Sequence, residues 1–377
     1  MSSDRGLISG YATPQGTARF RDRFAARCPR HFREAQGLWL SSIGLGTYLG
    51  DPTAAQDALY QRAIGRALEM GANVLDSAVN YRHQRSERAI GAALSGLVSS
   101  GSLRRDEVFV ATKAGFLAFD AEEPADPSAY FQEKFVEPGT VRPDDVAAGC
   151  HVMSPAYLEN QIEASRINLG LETIDLYYVH NPETQLSQVS RQEFYRRLKA
   201  AFAQLEKAVV DGKIRLYGTA TWNAYRVGPD SRDAVSLSEV LRIAEEVGGN
   251  DHHFRAVQLP FNLAMTEALA VATQQVDQKQ VPALRAAQAH RLMVFSSASL
   301  LQGQLARGMP PELAEWFPGL KTDAQRALQF VRSTPGITCA LVGMSHLEHV
   351  EENLATAAVA PLDVNEFRRL FAKSSSA

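Results

Sequence analysis

A chain of 377 residues with 45% hydrophobic and 21% charged residues has the composition of a globular protein able to bury an extensive core. Lys plus Arg (39) against Asp plus Glu (42) gives a net charge of -3, which excludes the strongly basic balance of a nucleic-acid-binding surface. The opening MSSDRGLISGYATPQG lacks the apolar core of a signal peptide, and no apolar run reaches bilayer length. Cys28, Cys150 and Cys339 are far apart and show no metal-ligand spacing. A cytoplasmic protein with no metal, no nucleic-acid partner and no membrane partner is expected.

Along the chain, residues 1–42 read with a helical period, and residues 1–37 form an N-terminal extension rich in arginine (Arg19, Arg21, Arg23, Arg27, Arg30, Arg33). Phe20 and Phe24, at i and i+4, predict docking of this extension on the remaining chain, against the alternative of a basic amphipathic helix for a partner or anionic surface. From residue 43 onward short apolar runs alternate with segments of helical spacing. The runs are SIGLGTY, ANVLD, EVFVATK, IDLYYVH, KIRLYGTA, FRAVQLP, LMVFSSA and ITCALVG, and most are continuous rather than alternating, as suits parallel strands buried on both faces. The helical segment AAQDALYQRAIGRALEMG stops at Gly71. No GxGxxG follows the first run, so eight repeats point to an α/β fold of the (β/α)8 TIM-barrel type over residues 38–377, a single domain with VNEFRRLF as a terminal outer helix. One connection stands out. Residues 116–154 form a long acidic loop carrying Phe116, Phe119, Tyr130, Phe131 and Phe135, and a lid over the barrel mouth is expected, against a mobile surface insertion.

In such a barrel reacting groups gather where strands end. Asp76, Lys113 and His180 end the second, third and fourth runs, and Tyr81 follows the second. Each has an ordinary structural explanation: a helix cap, a solvated strand end, a core histidine, rim packing. Four polar groups at three successive strand ends suit proton transfer better. A Lys cation roughly 4 Å from a phenol favours the phenolate by about 4 kcal/mol at an effective dielectric near 20, and a carboxylate keeps that Lys charged. A neutral His donates a hydrogen bond to a carbonyl oxygen. None of these groups supplies a hydride, so a cofactor is required.

The motifs GANVLDSAVNY, VFVATKAG, IDLYYVH, DGKIRLYGTA and VGMSHLEHVEENL, in this order, resemble the aldo-keto reductase family. The resemblance runs from about Leu40 to about Phe371 and implies a (β/α)8 barrel binding NAD(P)H across its C-terminal mouth, without metal, with a small-molecule carbonyl or alcohol as substrate. It implies Tyr81 as general acid and base, tuned by Lys113 and Asp76, with His180 orienting the carbonyl. It places Gly46, Thr47 and Tyr48 beside nicotinamide and substrate, and Gln258 on the carboxamide. Ala220 and Thr221 stand where the family has Ser-Asn, Ser297 replaces a stacking aromatic, and Leu300 and Arg307 follow it in the same loop. Gly343, Ser345, His349, Glu352 and Asn353 match the adenosine-binding segment. NADP(H) is read slightly ahead of NAD(H), with Arg307 compensating for His349 where many NADPH-preferring members carry Arg. A nucleotide-sensing protein without turnover, as among channel-associated members, and an NAD-dependent dehydrogenase of sugars or secondary alcohols are the alternatives.

Overall fold

The computed structural model describes residues 6–372, so residues 1–5 of the N-terminal extension and residues 373–377 lie outside the described residues. The chain starts with helix α1 (Pro14–Phe24), capped by the Thr13 side chain, which accepts from the Gly16 N–H. An antiparallel hairpin of β1 (Phe32–Ala35) and β2 (Leu38–Ser41) follows. This corrects the helical reading of residues 1–42. The period carried by Phe20 and Phe24 ends with α1, and Gln36 and Gly37 both take left-handed φ (52° and 77°), the geometry of a two-residue primed hairpin turn.

Each of the eight apolar runs then supplies one strand of a closed parallel barrel. The strands are β3 (Ile43–Gly46), β4 (Val74–Asp76), β5 (Phe109–Ala114), β6 (Ile174–His180), β7 (Ile214–Ala220), β8 (Phe254–Pro260), β11 (Met293–Ser297) and β12 (Cys339–Gly343). Between β8 and β11 lies a second hairpin, β9 (Ala272–Val276) with β10 (Lys279–Pro282), which the periodicity did not reveal. Leu38 and Leu40 of the first hairpin share a buried cluster with Val74, Phe109, Met293 and Cys339, each the first residue of its barrel strand. The hairpin therefore plugs the N-terminal end of the barrel and leaves the opposite end for chemistry.

The arginine-rich extension docks. Phe20 and Phe24 are buried and pack on Phe32, with ring centroids 6.0 and 6.4 Å apart. Arg19 pairs with Asp106 and Glu107, Arg23 pairs with Glu107, and the Arg21 guanidinium covers Trp39 at 4.0 Å. Three of the arginines are thus engaged by the hairpin and the residues before β5. No helix among the described residues is long and apolar enough to cross a membrane.

The segment 116–154 is not structureless. It contains a helix at Pro127–Phe131, a π-turn at Gln132–Val136 and a 3-10 turn at Pro143–Asp145. Truncating Phe20 to Ala should cost about 3 kcal/mol of unfolding free energy in urea titration, as a buried aromatic removed from a core does, while leaving nucleotide affinity unchanged.

Candidate active site

Register brings the strand ends level. Gly46 lies beside Asp76, Asp76 beside Ala111, Lys113 beside Tyr178, His180 beside Ala220, and Ala220 beside Gln258. Asp76, Tyr81, His180 and Gln258 all line one cleft of about 650 Å³ at this end of the barrel. Lys113 lies beneath it, fully buried. The Lys113 Nζ donates to Asp76 Oδ1 at 2.5 Å and to the Ser77 carbonyl at 2.6 Å. Burial draws the Asp76 carboxyl above and the Lys113 ammonium below their ordinary values, and their mutual attraction opposes both.

Tyr81 stands over this pair. The Lys113 Nζ lies 5.0 Å from the Tyr81 ring centroid, and the ring meets Tyr48 and His180 edge-on at 4.9 and 5.8 Å. Burial, followed by the Asp76 charge, raises the phenol well above its usual value. The expected lowering by Lys113 is not what this arrangement produces: the ammonium is engaged by Asp76 and Ser77, and desolvation dominates. The Tyr81 phenol is therefore kept in its protonated form at neutral pH. His180 is held well below the usual imidazole range by burial first and then by the Lys113 charge, so it is neutral, and its buried Nδ1 has no hydrogen-bond partner among the described residues.

Gln258 lines the cleft and also supports the ion pair. Its Nε2 donates to Asp76 Oδ2 at 2.8 Å, so this half of the amide is committed to the carboxylate rather than to a ligand. Gly46, Thr47, Tyr48, Thr221, Ser297, Leu300, Gly343, His349, Glu352 and Asn353 all line the cleft. Arg307 and Ser345 do not; Arg307 is exposed, in a loop where Gln302 and Gly303 take left-handed φ and Ala306 faces the cleft instead. No Lys or Arg lines the cleft among the described residues.

Several lining residues escaped the sequence reading. Asn80, the immediate neighbour of Tyr81, and Asn181, which turns the chain after His180 with φ 44° ahead of Pro182, were recognisable from Asn-rich turn chemistry at strand ends. Ala298, Ser299, Leu341 and Val342 carry no such signal. Of the segment 116–154 only Phe116 lines the cleft. Phe119, Tyr130, Phe131 and Phe135 pack on one another, and Phe135 packs on Tyr157.

Residues 42–228 match the model of the Aldo/keto reductase family, a span that takes in the tetrad positions and β3 to β7. A protein of Schizosaccharomyces pombe named for a voltage-gated potassium channel beta subunit is 25% identical over 236 residues, 62% of this chain and 57% of that protein's length. An uncharacterized oxidoreductase of Bacillus subtilis is 24% identical over 338 residues, covering 88% of this chain and 92% of its own. An aldo/keto reductase from Klebsiella pneumoniae, solved in complex with NADP and acetate, has the same fold with a TM-score of 0.61, 22% identity, and coverage of 91% of this chain and 95% of its own. The chain belongs to the aldo-keto reductase family, whose members are NAD(P)-dependent oxidoreductases.

The cleft's chemistry fits a nicotinamide dinucleotide on this structure's own terms. It runs from the Tyr81 and His180 pair to the helix Leu347–Ala355, in which Asn353 keeps a buried Oδ1 without a partner among the described residues. Replacing Lys113 by Met would strand the Asp76 carboxyl in a buried site, and a loss of about 3 kcal/mol or more is expected. A carboxyl whose folded pKa is raised loses stability as pH climbs through its unfolded value near 4. The deficit of the variant, read from urea midpoints, should accordingly be larger at pH 7 than at pH 4.

Proposed function

We propose that the protein is a carbonyl reductase, working reversibly as an alcohol dehydrogenase, in which Tyr81 is the general acid and base. The observation that carries the reading is the convergence of a protonated phenol and a neutral imidazole, 5.8 Å apart between ring centroids, over a buried Lys113–Asp76 pair in a ligand-sized cleft. A bound reduced nicotinamide supplies the hydride. A carbonyl oxygen seated between Tyr81 and His180 accepts a hydrogen bond from each. The proton of the Tyr81 hydroxyl passes to that oxygen as the carbon is reduced, and the carbonyl becomes an alcohol. Lys113, its Nζ 5.0 Å from the ring centroid, then faces the nascent phenolate, and its positive charge favours that anion. Asp76, held by Lys113 and Gln258, keeps the ammonium in place. Gly46, Thr47, Tyr48, Thr221, Ser297 and Leu300 would hold the nicotinamide end of the cofactor, and Gly343, His349, Glu352 and Asn353 the adenosine end.

Of the two nucleotides, NAD(H) suits this lining better: Arg307 does not line the cleft, and a 2′-phosphate would find the Glu352 carboxylate and no Lys or Arg among the described lining residues. Ser297 in place of a stacking aromatic costs roughly 1 kcal/mol of cofactor affinity for either nucleotide. A second reading, a nucleotide sensor without turnover, is favoured by the channel-subunit name of the S. pombe relative and by Ala220 and Ser297.

Tyr81→Phe should abolish turnover of an aldehyde and ketone panel, followed at the nicotinamide absorbance, while NADH affinity changes less than threefold; full turnover by this variant would remove Tyr81 from its role. Because the phenol stays protonated, carbonyl reduction should show no alkaline loss attributable to Tyr81 below about pH 10, whereas alcohol oxidation should accelerate as pH rises. His349→Arg should raise affinity for NADPH relative to NADH by about tenfold in fluorescence titrations, and an unchanged ratio would place the 2′-phosphate elsewhere.

A further inference from the structure

The segment 116–154 meets the site from behind. Leaving β5, it pairs antiparallel with its own return: Val152 N–H bonds to the Gly115 carbonyl at 2.7 Å, and Leu117 N–H to the Cys150 carbonyl at 2.8 Å. This pairing delivers His151, fully buried and outside the cleft lining, against the backbone of His180. The His151 Nε2 lies 2.7 Å from the His180 carbonyl oxygen, and its Nδ1 lies 2.9 Å from Gln185 Nε2. Arg197, which can only donate, takes the Gln185 Oε1 at 2.7 Å and also bonds the Asp144 and Asp145 carbonyls at 2.9 and 3.3 Å. The Gln185 nitrogen is therefore the donor to Nδ1, which assigns the His151 proton to Nε2 and makes the ring the donor to His180. Burial holds His151 down at about 4, so it is neutral with this tautomer at ordinary pH.

The His180 carbonyl is where such a donor is needed. β6 ends at His180, and the next residue, Asn181, turns away in the left-handed region, its N–H going to the Ala220 carbonyl at 2.6 Å. The β5–β6 pairing has already stopped at Ala114 and Val179. Gly115 allows the close approach: a Cβ there would lie 2.4 Å from the His180 carbonyl oxygen and 2.8 Å from His151 Nε2. The Phe116 ring meets both imidazoles edge-on, at 5.3 and 5.1 Å.

We propose that His151 is a positioning residue for His180: its Nε2–H anchors the His180 backbone where the strand ladder stops, so that the imidazole stays aimed into the cleft, and the long segment 116–154 serves to deliver this anchor. The proposal rests on the reading of His180 as the group that orients the carbonyl.

The test pairs two substitutions of similar volume, His151→Gln, which keeps a donor, and His151→Met, which lacks one, measured on a carbonyl that the wild type reduces. His151→Met should lower kcat about tenfold or more, since misplacing a group by about 1 Å costs up to a hundredfold, with NADH affinity unchanged, and His151→Gln should recover to within about threefold of wild type. Wild-type turnover in His151→Met, or equal impairment of both variants, would overturn the proposal. The wild-type protein labelled with 15N-histidine supplies a readout that needs neither variant folding nor substrate. The resonance absent from His151→Gln or, failing that, the histidine with an imidazole proton coupled to a carbonyl should report a neutral Nε2–H tautomer down to about pH 5; an Nδ1–H tautomer would contradict the anchor. His180→Ala separates the two readings. If it keeps wild-type kcat, the role given to His180 fails, while the tautomer still decides whether His151 holds its backbone.

Discussion

The Lys113–Asp76 contact is the constraint on which the site depends. An ammonium and a carboxylate 2.5 Å apart, both buried, are tolerable only when every remaining valence is met, because desolvation of each ion costs several kcal/mol. Partners come from different strands: the Ser77 carbonyl after β4 takes a second ammonium proton, and Gln258 from β8 crosses the barrel to the other carboxylate oxygen. The ion pair therefore works only in a closed barrel with its strand ends level. Burial raises the Tyr81 phenol above its usual value, and in the mechanism proposed above the cation beneath the ring is at hand when the proton leaves.

Much of this was legible in the sequence, for a physical reason. Parallel barrel strands are buried on both faces, so IDLYYVH or EVFVATK reads as a largely apolar run, and the polar residues that end three of the runs mark the mouth of the barrel. Asp76, Lys113 and His180 could be located by that rule alone. What escaped depends on local turn geometry and on partners across the barrel. The helical period of α1 hides the Gln36–Gly37 hairpin that follows it, and the bond from the Gln258 nitrogen to Asp76, 182 residues away, has no signal in the sequence. Arg307 was placed beside the adenosine end because sequence shows the loop but not its left-handed turn at Gln302 and Gly303.

The long acidic segment illustrates the same limit. Its aromatic residues suggest a lid over a bulky substrate, yet four of them close on each other and only Phe116 reaches the cleft. An insertion of this length retains its conformational cost unless it buries something of its own, and this one buries Phe135, Val141, Val152 and Met153 together with His151. The mouth of the cleft stays lined by Tyr48 and Trp222, both substantially exposed, with Asn80 and Asn181 beside the reacting groups. Such a pocket offers aromatic faces and amides to a substrate, and no cation among the described residues.

The central claim, that the cleft couples a bound nicotinamide to a carbonyl seated at Tyr81 and His180, is tested most directly by isotope transfer. The purified protein would be incubated with NADH deuterated at the reactive ring carbon and a panel of aldehydes and ketones, and the products read by mass spectrometry. The account predicts alcohols carrying one deuterium on the former carbonyl carbon. Tight binding of NADH with no deuterium transferred to any member of a broad panel would contradict it, in favour of a protein that senses the nucleotide without using it.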